Sequence, residues 1–316
     1  MQPSRQIGRR PRRFRKTRGV SLPGIPLSYE PLVAPARPRR QIWRTLLGLA
    51  ITGAVYFGWM VGLAMLAAWY QDVPFDRLLY RVATGADPWA MILLLGGFLG
   101  GWIGVWVAIH LLHRRRLGSL LGRAPAVLRD FVTGMVILAL IGGGLTLVMM
   151  PMLPPLTLRP DVSVWLTFLP LALLGVLVQT GAEEVLFRGY LQSQLAARFA
   201  RPLIYLTLPA ILFGLAHYNA EEMGADAWLV VGSTALFGLI AADVTQRTGN
   251  LGMAWGLHFA NNVLAMLVLS VTGALNGLAL FEAGELAPEM ARPLLIADML
   301  VTVAVWAVCR LWLRRR

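Results

Sequence analysis

The sequence has one cysteine in 316 residues, Cys309, which excludes an intramolecular disulfide and a cysteine-rich metal cluster. Lysine is as scarce, a single residue against 28 arginines. Charged residues make up only 14% of the chain while hydrophobic ones reach 57%, and several apolar runs exceed the roughly 18 residues that a soluble domain rarely tolerates. A soluble globular fold is therefore excluded. No HExxH occurs, no glycine-rich nucleotide loop follows a strand, and no internal repeat is evident. Nor is there an evident Ser-His-Asp or Cys-His arrangement for nucleophilic catalysis.

What the chain does have is membrane-length hydrophobicity. The pattern predicts an all-α, polytopic membrane helix bundle of about eight transmembrane helices, near 45–70, 89–112, 131–152, 164–186, 202–219, 227–244, 251–271 and 293–312. The first run is too long for a signal-peptide core, and no convincing cleavage site accompanies it. Residues 1–41 form a basic Arg/Pro-rich tail, "RRPRRFRKTR" and then "PLVAPARPRR", with Glu30 as its one acid. Too little apolar mass is present for the tail to fold alone, so it reads as a disordered cytoplasmic segment resting on anionic lipid headgroups. Residues 42–316 then form the integral domain, with membrane lipids as partners and no nucleic-acid partner expected.

The net charge of +13 is informative through its placement. With the N-terminus in the cytoplasm, 25 of the 29 Lys and Arg residues fall in cytoplasmic segments, leaving Arg77, Arg81, Arg159 and Arg292 outside. The opposite loops carry Asp72, Asp76, Asp87, Glu221, Glu222, Asp226, Glu282, Glu285 and Glu289. This is the positive-inside pattern for both termini in the cytoplasm. The arginine bias and abundant Ala and Gly suit a GC-rich bacterial genome, hence the inner (cytoplasmic) membrane.

Against that apolar background EEVLFRG, residues 183–189, is conspicuous. An ionisable group at mid-membrane costs about 2.5–3.5 kcal/mol even on the lenient insertion scale, so either the helix has already left the hydrocarbon or the charges have a task. Three segments share one spacing. Glu184 and Arg188, Phe213 and His217 in FGLAH, and His258 and Asn262 in HFANN are each four residues apart, one face of one helix. If the helix through Glu183 turns near 199–201, Glu183 and His217 reach similar depth. The remaining histidines, His110 and His113, precede Arg114–Arg116, where interfacial polarity is explanation enough. Asp243 with Arg247, Asp298 alone, Cys309 as a packed thiol, and the Gly96, Gly100, Gly104 stripe all read as architecture. Glu, His and Asn within a membrane also suit a proton- or ion-coupled transporter.

EExxxR, FxxxH and HxxxN in this order on separate helices resemble the CAAX protease and bacteriocin-processing (CPBP) family of intramembrane endopeptidases, over about residues 164–271. The resemblance implies hydrolysis of a peptide bond in a membrane-associated protein or peptide. In that frame Glu183 is the general base on water, His217 helps orient it, and His258 with Asn262 stabilises the oxyanion. Glu184, Arg188 and Phe213 are structural support. A metal-free site with no cofactor is favoured; the alternative is zinc on Glu183, His217 and His258, whose residue types suit three ligands and an open position. A noncatalytic scaffold or immunity protein of the same family is a further reading, and the bacterial composition makes a prenylated substrate the less expected one.

Overall fold

Proline and aspartate set where many of the helices begin. The computed structural model describes residues 24–85, 87–158, 161–270, 275–284 and 288–316; residues 1–23 of the tail, Arg159 and Glu285 lie outside the described residues. Helix α1 spans Ile42–Gln71 and α2 Phe75–Thr84. Then α3 (Pro88–Gly97) starts with Pro88 in its first turn and the Asp87 carboxylate accepting the Ala90 N–H at 3.0 Å. Helix α4, Leu99–Ala108, continues that span, and α5 is Ala124–Met149. Asp161 caps α6, Val162–Glu184, by accepting the Ser163 and Val164 N–H groups at 3.0 and 3.3 Å. The Ser163 hydroxyl, which also donates to Asp161, and then these N–H groups hold the Asp161 carboxyl below its ordinary value. Helix α6 widens into a π-helical stretch, Val185–Gln192, and closes as α7, Ser193–Phe199. Helices α8 (Pro202–Leu215), α9 (Ala227–Thr248), α10 (Gly252–Val263) and α11 (Pro288–Arg314) complete the bundle.

Six helical stretches among the described residues are long and apolar enough to cross a bilayer: Ile42–Gln71, Pro88–His113, Ala124–Val148, Val162–Phe199, Gly224–Thr248 and Met290–Arg314. About eight spans is therefore not confirmed. The shortfall lies in α8, 14 residues long, and in α10, whose 12 residues are continued by the 5 of a π turn, Leu264–Val268. At 1.5 Å per residue these reach roughly 20–25 Å, against about 30 Å of hydrocarbon. Helix α8 ends at the turn holding His217, and the π turn after α10 gives way to extended chain at Leu269–Ser270. The chain does turn at Ala200 (φ 52°), within the stretch expected from the sequence.

Packing follows the small residues. Helix α1 lies against α4, where a Cβ added to Gly100 would come within 2.7 Å of Trp59 and one on Gly104 within 2.8 Å of the Thr52 carbonyl oxygen. That glycine stripe is architecture, as its spacing suggested. Helices α5, α9, α10 and α11 enclose a core that includes Leu138, Val244, Met253, Leu257, Val305 and the buried Cys309. Large apolar side chains remain on the outer faces, among them Leu140 at 72% exposure and Leu300 at 67%, the surface a bilayer would cover.

Two features depart from the all-α bundle with a free tail. Leu156–Leu158 (β1), Leu269–Ser270 (β2) and Phe281–Ala283 (β3) form a small sheet in the order β1-β3-β2. In it Leu158 pairs with Phe281 antiparallel and Leu269 pairs with Phe281 parallel. The second departure is residues 24–40, which do not behave as a free tail. Ile25, Tyr29, Leu32, Val33 and Ala36 are buried against Leu191, Leu195, Ala196 and Tyr205. Arg115 donates to the Leu32 carbonyl at 3.2 Å, and the Ser28 hydroxyl donates to the Gln246 carbonyl at 2.7 Å. Their apolar side chains are too few for a core of their own but enough to complete one begun by α7 and α8. Burial pulls the Arg115 guanidinium down to about 10.

Candidate active site

Residues 162–184 are helical because the run is apolar and well capped, and that regularity carries Gln179, Glu183 and Glu184 inward together. Gly181 makes room for what closes over them. A Cβ there would come within 2.6 Å of both Trp102 and Trp255, whose indole N–H groups donate to the Val178 carbonyl at 2.9 Å and the Thr180 hydroxyl at 3.1 Å. The π-helical widening then begins at Val185, so the acidic pair sits at the change of helical pitch. Such insertions are frequent at functional sites.

Glu184 is fully buried and Arg188 nearly so, and the Arg188 Nη1 donates to Glu184 Oε1 at 2.8 Å. The pair expected from the sequence is formed, but it is not the whole of Glu184's role. The same Oε1 lies 2.9 Å from Nδ1 of His258, brought across by α10. His258 Nε2 is then 3.4 Å from Oε2 of Glu183, an oxygen enclosed by protein with no hydrogen-bond partner among the described residues. An Arg–Glu–His–Glu relay results, with His258 between the two carboxylates.

Aromatic rings wall the relay. The Arg188 guanidinium stacks over Phe213 at 4.5 Å, and Phe213 meets His258 edge-on at 5.8 Å. Phe237 also packs on His258, at 5.2 Å, and on Phe213 at 6.3 Å, while Phe187 packs on Phe213 at 5.1 Å. Phe213 thus touches both Arg188 and His258. Asn262, one turn beyond His258, donates to Gln179 Oε1 at 2.9 Å.

His217 is placed differently. It lies in the exposed turn after α8, where its Nδ1 is 2.8 Å from the Phe213 carbonyl and its ring packs on Phe213 at 4.8 Å. Glu183 and His258 are brought together; His217 is linked to them through Phe213, with no hydrogen bond to either among the described residues. That bears on the zinc alternative. His258 does have the carboxylate partner on Nδ1 that metal-bound histidines commonly have. Yet no three His, Cys, Asp or Glu side chains among the described residues are grouped to hold a metal ion. The zinc set Glu183, His217, His258 does not fit the present arrangement.

Gln179 went unnoticed in the sequence. Its signal was its position, one turn before Glu183 on the same face of an otherwise apolar run. His113 is likewise more than an interfacial residue. It is buried, with Nε2 2.9 Å from the Tyr190 hydroxyl and Nδ1 3.0 Å from the Arg39 carbonyl, fastening the 24–40 segment to the bundle. His110 instead stacks on Trp106 at the surface.

Residues 165–264 match the family described as Type II CAAX prenyl endopeptidase Rce1-like. This segment is thus similar to the Rce1-like CAAX endopeptidases. It contains every residue of the three motifs, from Glu183 to Asn262, and agrees with the CPBP resemblance. A stretch of 114 residues is 31% identical to the uncharacterized protein YyaK of Bacillus subtilis (strain 168), covering 36% of this chain and 38% of that relative. The chain thus matches well under half the length of this curated relative. No solved structure matches. At family level the Rce1-like segment supports a CPBP-type intramembrane protease in an integral membrane protein.

Proposed function

We propose that the protein is an intramembrane endopeptidase that hydrolyses a peptide bond of a membrane-associated protein or peptide with a water activated by Glu183. The observation that carries this reading is Glu183 Oε2, enclosed without a hydrogen bond among the described residues and 3.4 Å from a histidine whose other nitrogen is fixed on Glu184. Glu183 takes a proton from water as the oxygen attacks the carbonyl carbon, then returns it to the departing amine when the C–N bond breaks. His258, oriented by Glu184, holds that water against Glu183. Asn262 spends one amide hydrogen on Gln179 and has a second for the oxyanion. His217, in the exposed turn after α8, orients substrate or water from outside the relay.

No step in this scheme passes through a metal. The full chain, purified and reconstituted in bilayers, is expected to contain much less than one zinc per chain and to keep its turnover under chelation. Its substrate is first to be captured from native membranes with a Glu183→Ala variant. Stoichiometric zinc whose removal stops cleavage and whose return restores it would replace the water-only mechanism. Failure of any membrane polypeptide to change between wild-type and Glu183→Ala membranes would remove the protease reading itself.

Both termini are proposed to face the cytoplasm of a bacterial inner membrane, from the 25 to 4 division of basic residues. Reporter fusions after Arg316 and within 113–123 are expected to give cytoplasmic signals. An external signal from either would overturn that orientation.

A further inference from the structure

Away from the acid–histidine relay, the basic end of the bundle has a hollow of about 400 Å³ where α9 and α11 finish and α5 begins. Its volume falls within the roughly 300–1,000 Å³ of small-ligand sites. Arg129, Arg247, Arg310, Arg314 and Arg316 line it. We propose that it binds the phosphodiester headgroup of an anionic phospholipid.

The charge does not cancel within the site. Asp243 accepts from Arg247 at 3.0 Å and Arg310 at 3.2 Å, while Asp130 accepts from Arg129 at 3.1 Å and Arg316 at 2.6 Å. Two side-chain carboxylates thus face five guanidinium groups, and Arg314 has no ion pair among the described residues. The carboxylates also make the site rigid. Asp130 is buried and receives a further bond from the Asn250 amide at 2.8 Å, so the arginines it holds are positioned in advance. Planar guanidinium forks match the paired oxygens of a phosphate. Arg129 also lines an adjoining hollow with Arg123, extending the positive surface.

The flanks favour a lipid over free phosphate. Leu311 and Trp312 of α11 and Leu128 of α5, within two positions of lining arginines, are 54%, 51% and 67% exposed. An acyl chain would cover them, and a tryptophan at such a boundary sits where membrane proteins meet headgroups. Basic pockets between membrane helices are suited to anionic lipid headgroups for this reason.

The test uses the full chain in phosphatidylcholine nanodiscs carrying a small fraction of phosphatidylglycerol, with bound lipid read by native mass spectrometry. Wild type is expected to retain phosphatidylglycerol in preference to phosphatidylcholine. Arg129→Gln/Arg314→Gln removes the 59%-exposed arginine and the one without an ion pair, so it should fold. It should bind phosphatidylglycerol roughly 30-fold more weakly, at about fivefold for each basic group near an anionic surface. Arg77→Gln, at the other end of the bundle, should stay within about twofold of wild type. If the double variant is unstable in neutral lipid, Arg314→Gln alone should show the roughly fivefold loss. Unchanged retention in these variants, or no preference over phosphatidylcholine, overturns the proposal. Inorganic phosphate that displaces the lipid at millimolar concentration would overturn it too, by assigning the hollow to a free anion.

Discussion

Glu183→Gln is expected to lower turnover of the captured membrane peptide by about 10²- to 10⁴-fold while leaving the fold intact. The size follows from the task, because glutamine keeps the shape of the side chain but cannot take a proton from water. The intact fold follows from the contacts. Glu183 Oε2 has no hydrogen bond among the described residues, so replacing it removes none, and its nearest ionic neighbour is His258 Nε2 at 3.4 Å. Single-turnover cleavage in proteoliposomes, with circular dichroism and a melting curve on the same preparation, measures both halves. Wild-type turnover in the variant would take Glu183 out of the chemistry; lost turnover accompanied by a large drop in melting midpoint would make its role structural.

The residues of this site were legible in the sequence because their cost made them visible. Glu183, Glu184 and Arg188 stand out in an apolar run, and four-residue spacing places each motif pair on one face. Spacing along one helix says nothing of which side chain another helix brings opposite it. Hence the spacing paired Glu184 with Arg188 but could not say which histidine it meets, and its Oε1 also takes His258 Nδ1. Gln179 was lost for a related reason: an uncharged amide in an apolar run carries little penalty and draws little notice, yet it meets Asn262.

The same limit applies to the fold. Hydropathy sees apolar length but not the breaks that stop α8 at Leu215 and the helix through α10 at Val268, so eight spans were expected where six stretches have the length. Average composition hid the packing of residues 24–40, because their few apolar side chains are diluted by arginine and proline. What composition measures is the capacity to form a core alone. Ile25, Tyr29 and Leu32 instead complete a core supplied by residues about 160 positions later.

Glu184→Gln tests the other half of the acidic pair, and its expected effect is on stability first. One oxygen, Glu184 Oε1, takes both the Arg188 Nη1 at 2.8 Å and His258 Nδ1 at 2.9 Å, and all three side chains are buried. A glutamine carbonyl could still accept one of these bonds, but the guanidinium would keep its charge with no adjacent counter-charge. Its stacking on Phe213 at 4.5 Å offsets only part of that loss. Breaking a buried ion pair from one side costs about 3–5 kcal/mol, which corresponds to a melting midpoint lower by roughly 10 °C. Activity should fall as well, since His258 loses the partner that fixes its ring against Glu183. Removing the orphaned charge separates these effects: Glu184→Gln/Arg188→Met should regain much of the midpoint, because an apolar pair has no charge to leave unpaired, yet should not regain turnover. A Glu184→Gln protein as stable as wild type, or a double variant whose losses simply add, would show that Arg188 does not depend on Glu184 and that the relay is not the unit holding this site together.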